Sequence, residues 1–239
     1  MKIQIIPCLK DNYSYLIIDQ SKNDACVVDP SESEPIIKYL EKNKINLKFI
    51  LNTHHHYDHV GGNNLLKKKY NAKVIGYKDD KRRIPDVDIL VNDEQIWKNQ
   101  NFEAKIMHIP GHTSGHICFY FYKDKTIFTG DTLFSLGCGR IFEGTYSQMF
   151  DSLNKFKKLP LDTKIFCGHE YTMQNSKFCL THDSNNQKLK KKIIEIKKKL
   201  INNLPTIPST IKEELECNIF LRSDNLKSFS KLRDLKDNF

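Results

Sequence analysis

Residues 53–59 read Thr53-His54-His55-His56-Tyr57-Asp58-His59, directly after the apolar run Leu47–Leu51 and just before Gly61-Gly62. A buried strand entering and a helix leaving make this a turn whose side chains project beyond the sheet. His54 and His56, two positions apart, can converge on one metal ion, while Asp58 and His59 can face a second a few ångströms away. Imidazole and carboxylate together suit zinc, iron or manganese, and the lack of thiolate points to an open, catalytic site. A histidine-rich surface loop that picks up metal adventitiously is the bland alternative. The placement after a buried strand weighs against it.

Three further candidates have the same design. His112 lies in Ile109-Pro110-Gly111-His112-Thr113, Asp131 in Phe128-Thr129-Gly130-Asp131-Thr132, and His169 in Phe166-Cys167-Gly168-His169-Glu170. Each follows a predicted strand. One Gly-His or Gly-Asp turn alone is usually only a turn. Three of them can converge with the first cluster, giving five histidines and two aspartates, enough for two metals with a carboxylate between them.

Working outward, short β-like runs alternate with helical ones. Lys2–Ile6, Tyr13–Ile18, Ala25–Val28, Lys73–Ile75, Asp88–Val91, Glu103–Ile109, His116–Tyr122, Thr126–Thr129 and Lys164–Cys167 read as strands. Ser33–Asn43, Asn63–Tyr70 and Tyr146–Lys157 read as helices. The pattern predicts one layered, mixed α/β domain over residues 1–170. Residues 171–239 show no clear strand, and Leu189, Ile193, Ile196 and Leu200 mark one face of a lysine-rich helix over Gln187–Ile201. With helices expected at Ile211–Glu216 and Leu226–Leu235, residues 171–239 read as a C-terminal helical domain.

Composition narrows the class. The chain has 239 residues, with 38 Lys+Arg against 29 Asp+Glu (38 − 29 = +9), and is 39% hydrophobic. That is apolar enough to exclude disorder. The longest apolar run, Ile117–Tyr122, is far short of the roughly 20 residues that cross a bilayer. Met1–Leu9 carries one lysine and an apolar patch broken by Gln4 and Pro7, and does not read as a signal peptide. The seven cysteines are odd in number and form no CxxC pair, so they read as reduced thiols of a cytoplasmic protein rather than a disulfide framework.

In chain order, THHHYDH, PGHTSGH, GDTLF and GHEYT resemble the metallo-β-lactamase superfamily. Within it the chain resembles the glyoxalase II (hydroxyacylglutathione hydrolase) family nearly end to end, through IPCLKDNYSYLI, GCGRIFEGT, HEYTMQNSKF, TIPSTIKEE and RDLKDNF. The resemblance implies an αββα sandwich followed by the helical domain. It implies His54, His56 and His112 on one metal, Asp58, His59 and His169 on a second, and Asp131 bridging both. Two divalent ions are expected, zinc foremost, with iron or manganese admissible. The implied reaction is hydrolysis of S-D-lactoylglutathione by a metal-bridging hydroxide. Asp58 and Asp131 would orient metals and nucleophile rather than serve as independent bases.

The same resemblance places the glutathionyl carboxylate against Arg140, Tyr171, Arg233 and Lys236. Phe142 stands where some relatives carry tyrosine, which would leave out one hydroxyl contact. For Arg233 and Lys236 the bland reading is a solvated helix end. Asn218-Ile219-Phe220-Leu221-Arg222 departs from the family's N-P-F-L-R, which predicts a looser turn. His55 is expected to point away from its neighbours, His116 to lie beside the site or in the core, and Asp29 to steady a histidine or open a turn.

Competing readings are another enzyme of the superfamily, such as a persulfide dioxygenase or a nuclease, and a basic nucleic-acid-binding protein with a structural metal. The lysine-rich helix 188–199 lacks interleaved aromatics, which argues against single-strand binding. The expectation is a monomer with neither nucleic-acid nor membrane partners.

Overall fold

The computed structural model describes residues 1–99 and 101–239, and the chain divides into two compact units. The first comprises Met1–His108 with Gly115–Asp124, and the second Ile109–Ser114 with Lys125–Phe239. The second thus holds the stretch 171–239 together with residues that precede it.

The first unit runs β1 (Lys2–Cys8), β2 (Asn12–Asp19), β3 (Asp24–Val28), α1 (Glu34–Lys42), β4 (Asn46–Leu51), α2 (Tyr57–Val60), α3 (Asn63–Tyr70), β5 (Lys73–Tyr77), β6 (Ile89–Val91), β7 (Ile96–Asn99), β8 (Phe102–His108) and β9 (Ile117–Phe121). Strands β1 to β6 form one sheet in sequential order, antiparallel through β3 and parallel from β3 to β6. β7, β8 and β9 pair antiparallel. Sequence periodicity found most of these but not β7, whose Ile-Trp-Lys-Asn has two adjacent apolar residues and no alternation.

β4 is covered on both faces, as a parallel strand requires. The register with β3 slips at Lys48, so Ala25 faces Leu47 while Cys26 faces Phe49. That bulge puts Leu47 and Ile50 together in the cluster with Ile36, Leu40 and Leu66 of α1 and α3. On the other face Phe49 meets Trp97 of β7 edge-on at 5.2 Å and Phe102 of β8 at 6.2 Å. Burying each such ring contributes about 1.5–3 kcal/mol. Helix, sheet and sheet are thereby layered within this unit, and the loop after β4 is anchored on a rigid strand.

The second unit runs β10 (Thr126–Gly130), β11 (Leu133–Phe134), β12 (Gly137–Cys138), α4 (Tyr146–Phe156), β13 (Lys164–Cys167), α5 (Thr172–His182), α6 (Gln187–Ile201), β14 (Ser209–Thr210), α7 (Ile211–Cys217) and α8 (Leu226–Asp237). β10 and β13 are parallel neighbours and β11–β12 is a small hairpin. β14 pairs antiparallel with β13, so 171–239 does contain a strand, contrary to expectation. Two residues carry no periodicity to read.

Helix ends follow capping chemistry. Thr145 with Gln148 and Thr210 with Glu213 form capping boxes on α4 and α7, and the Asn186 and Asn225 side chains cap α6 and α8. Leu189 and Ile196 of α6 are buried, as its pattern predicted. The helical stretch centres on Phe220, stacked on Phe178 at 5.7 Å and edge-on to Phe229 at 6.3 Å. The turn expected to be loose at Ile219 is held: the Asn218 side chain accepts the Phe220 N–H at 3.0 Å, and its carbonyl accepts Arg222 N–H at 3.0 Å.

Candidate metal centre

In the first unit, the chain leaves β4 through Asn52 and Thr53 and enters the single turn of α2, which carries Asp58 and His59. Glycine is needed beyond it: a Cβ on Gly61 would lie 2.5 Å from the Ser31 carbonyl oxygen. The 30–32 loop therefore approaches closely, and its neighbour Asp29 reaches the site. Asp29 accepts Thr53 N–H at 2.8 Å, the Thr53 hydroxyl at 2.6 Å and His59 Nδ1–H at 3.0 Å. Thr53 Oγ1, having donated its proton to Asp29, accepts from His54 Nδ1 at 3.0 Å.

These bonds fix the tautomers. With Nδ1–H committed, neutral His54 and His59 each present the Nε2 lone pair. His59 Nε2 lies 3.6 Å from Asp58 Oδ2. Two acceptors facing each other at that distance repel, and a cation coordinated by both is the chemical remedy. Asp58 is itself held by Asn12, whose Nδ2 donates to its carboxylate at 3.0 Å and its carbonyl at 3.1 Å. Asp29, His54 and His59 offer ligand atoms within 4.8 Å of one another. His55 instead reaches the buried Asp80 carboxylate, with Nδ1 at 3.5 Å, and Arg83 pairs with that carboxylate. His116 stacks on His54 with ring centres 4.6 Å apart.

The second unit builds a matching set. Asp131 and His169 leave the same ends of the paired parallel strands β10 and β13, and Gly168 N–H donates to the Gly130 carbonyl at 2.9 Å. His112 Nδ1 donates to the Arg140 carbonyl at 2.8 Å, so its Nε2 lone pair faces Asp131 Oδ2 at 3.6 Å. His169 Nε2 lies 3.2 Å from that same oxygen. One carboxylate thus sits between two imidazoles, all three buried. Among the described residues all seven cysteines are buried, and burial pushes the Cys167 and Cys179 thiols up to about 12, so neither of these offers a thiolate as ligand. The donor set fits a divalent ion held by nitrogen and oxygen.

The residues expected at the substrate lie in this unit too. Tyr171 stacks on His169 at 4.7 Å with planes 6° apart, and Phe142, 64% exposed, stands edge-on to His112 at 5.2 Å. Arg140 is exposed, its Nε 3.4 Å from Asp237 Oδ1. Lys236 Nζ lies 5.2 Å above the Phe178 ring and 5.0 Å above that of Phe239. Burial, then repulsion by Arg233 and Arg140, hold its ammonium below the usual lysine value. Arg233 corrects the solvated-helix alternative. It is 3% exposed, donates to the Cys138 carbonyl at 2.7 Å and to Asp237 at 2.9 Å, and lies over the Phe220 ring.

Reading the sequence missed Asn12 and the Arg140 carbonyl. Asn12 was visible only as part of a Lys-Asp-Asn turn, and a backbone oxygen leaves no signature at all.

Buried imidazoles and carboxylates oriented by hydrogen bonds make a metal-binding fold, and residues 10–169 match the metallo-beta-lactamase superfamily. Residues 170–239 match the hydroxyacylglutathione hydrolase C-terminus. The chain belongs to the hydroxyacylglutathione hydrolase family of that superfamily. It is 72% identical to the hydroxyacylglutathione hydrolase of Pelagibacter ubique over the whole of both chains. It is 45% identical to the cytoplasmic hydroxyacylglutathione hydrolase of Arabidopsis thaliana, across 97% of this chain and 92% of that protein. Among solved structures, ETHE1 from Myxococcus xanthus shares the fold with TM-score 0.75 at 22% identity, covering 98% and 90% of the two chains. The B3 metallo-beta-lactamase BLEG-1 does so with TM-score 0.73 at 21% identity, covering 93% and 100%. The αββα class expected from the sequence is thereby established, as is divalent-metal binding. No helix among the described residues is long and apolar enough to cross a membrane.

Proposed function

We propose that this chain hydrolyses S-D-lactoylglutathione and related S-2-hydroxyacylglutathiones to the free hydroxy acid and glutathione. The metal half is common to a whole superfamily, so the observation that carries the substrate is the match of residues 170–239 to the hydroxyacylglutathione hydrolase C-terminus. Full-length identity of 72% to a protein of that name supports it.

The reading assigns His54, His56 and His112 to one divalent ion, Asp58, His59 and His169 to a second, and Asp131 to both. Zinc suits these ligands best, and iron and manganese are compatible. Bound divalent ions supply a water acidic enough to attack at neutral pH and draw charge from the thioester carbonyl. The chain's own residues do the rest. Asp29 and the Arg140 carbonyl hold His59 and His112 in the tautomer that presents Nε2. Asp58 and Asp131 orient the reacting groups. Arg140, Tyr171, Phe142, Arg233 and Lys236 form the wall for the glutathionyl moiety, with Arg140 able to take a carboxylate bidentately. The leaving thiolate needs no strong acid.

The reading places the chain in the cytoplasm as a monomer acting on a small anionic substrate, without nucleic-acid or membrane partners. The test is thiol release from S-D-lactoylglutathione beside a β-lactam and a phosphodiester. Cleavage of the thioester alone is expected; cleavage of either other substrate in its place overturns the assignment.

A further inference from the structure

The hairpin β11–β12 connects Asp131 to Arg140, and side chains from the helical stretch grip its turn. Asn175 of α5 donates to the Ser135 carbonyl at 3.1 Å, Cys179 of α5 to Leu136 O at 3.1 Å, and Asn218 to Gly137 O at 3.1 Å. Leu136 itself lies in the left-handed region, at φ 60°, a conformation uncommon for residues other than glycine. Its N–H is taken by Oε2 of Glu214 at 2.8 Å, and Asn218 Nδ2 donates to the same oxygen at 2.9 Å.

Glu214 is the unusual member of this set. Its neighbour Glu213 is accounted for by the α7 capping box and by an ion pair with Lys192. Glu214 is 0% exposed, and the charged group beside it is Glu213, which repels it. Burial pushes its carboxyl above the ordinary range. Among the described residues no cation pairs with it; a buried carboxyl so placed is costly, and an apolar residue would serve packing better. What the carboxyl adds is hydrogen-bond acceptance, with Leu136 N–H and Asn218 on Oε2 and the Ser209 hydroxyl as a further partner.

Those bonds act on the segment that presents Arg140. Beyond the hairpin, Gly139 N–H donates to the Thr132 carbonyl at 3.2 Å, and a Cβ on Gly139 would lie 1.9 Å from the Asp131 carbonyl oxygen. Nothing larger than glycine fits, so the hairpin closes tightly at its base, and Arg140 is the next residue along the chain.

We propose that Glu214 is a positioning residue for substrate binding: by holding the Leu136 N–H, it fixes the hairpin from which Arg140 reaches the glutathionyl carboxylate. This rests on the substrate reading above. Glu214 touches neither the substrate nor the proposed metal ligands. Its effect is expected on binding of the carboxylate and not on the chemical step, because the His112 Nδ1–H bond at 2.8 Å holds the Arg140 carbonyl in place while the Arg140 side chain is exposed.

The test compares Glu214→Leu and Glu214→Gln on two thioesters, S-D-lactoylglutathione and S-D-lactoyl-N-acetylcysteamine, which lacks the glycine carboxylate. Glu214→Leu is expected to raise KM for the glutathione thioester about tenfold with kcat within about twofold, and to leave kcat/KM for the truncated thioester unchanged. Glu214→Gln keeps the acceptor and is expected to behave as the parent. Equal losses on both thioesters, or an unchanged KM in Glu214→Leu, overturn the proposal. Should the leucine variant not fold, Cys179→Ala removes another grip on Leu136 without touching a charge, and a two- to threefold rise in KM for the glutathione thioester alone is expected; no rise overturns the proposal. Amide exchange over residues 136–140 is a readout independent of substrate. Faster exchange in Glu214→Leu but not in Glu214→Gln is expected even if the substrate reading fails, and equal exchange in all three proteins contradicts the proposal.

Discussion

Asp29 accepts His59 Nδ1–H at 3.0 Å while holding Thr53 through both its N–H and its hydroxyl. A carboxylate behind a ligand imidazole fixes the ring and raises its basicity, and losing such a partner typically costs about 10–100-fold in metal affinity. Asp29→Asn should therefore weaken zinc binding by that order, measured by competition with a chromophoric chelator. Affinity within twofold of the parent would return Asp29 to a turn residue.

Asp131 stands between two imidazoles, with Nε2 of His169 at 3.2 Å and Nε2 of His112 at 3.6 Å from one oxygen. Asp131→Ala should lower metal content and thioesterase activity together. Elemental analysis checks it, and full metal occupancy in the variant would remove Asp131 from the ligand set.

Arg140 and Arg233 should separate cleanly. Arg140 is exposed, so Arg140→Ala should raise KM with modest change in kcat and little change in Tm. Arg233 is buried on the Cys138 carbonyl, so Arg233→Ala strands that buried acceptor and should cost about 1–3 kcal/mol of stability besides raising KM. Thermal melts beside steady-state kinetics distinguish the two. Equal Tm for both variants would contradict the structural part of this account.

Glu214 gives a pH signature. Burial raises its folded-state pKa above the unfolded value, so the native state favours the neutral acid. Its favourable contribution is complete below the unfolded pKa and is lost as pH rises through the folded one. Glu214→Gln, uncharged at every pH, should be stabilised over the parent at neutral pH, with the difference closing as pH falls below about 4.5. Melts of the metal-stripped proteins across that range read it. A gap that widens on acidification would reverse the sign assigned here.

Much of this was legible in the sequence because metal chemistry needs particular side chains at particular places in the chain. His54, His56, Asp58 and His59 declare themselves beside a buried strand, and His112, Asp131 and His169 each follow another. Long amphipathic elements such as α6 were equally plain. Partners distant in sequence were not. Asn12 reads as a turn residue until it is seen holding Asp58, 46 positions away. Arg233 reads as a surface charge, although it lies one helical turn from the buried Phe229 and shares its face. The hairpin β11–β12 and the strand β14 are two residues per strand, too short for any period to show.

The central claim is that metal held by these residues drives thioester hydrolysis. It is tested most directly by thiol release from S-D-lactoylglutathione with three samples of the same purified chain: as isolated, chelator-stripped, and stripped then reloaded with zinc. Rapid release that is lost on stripping and restored by zinc is the result predicted. Release that survives complete removal of metal, or none from a fully loaded protein, would contradict it.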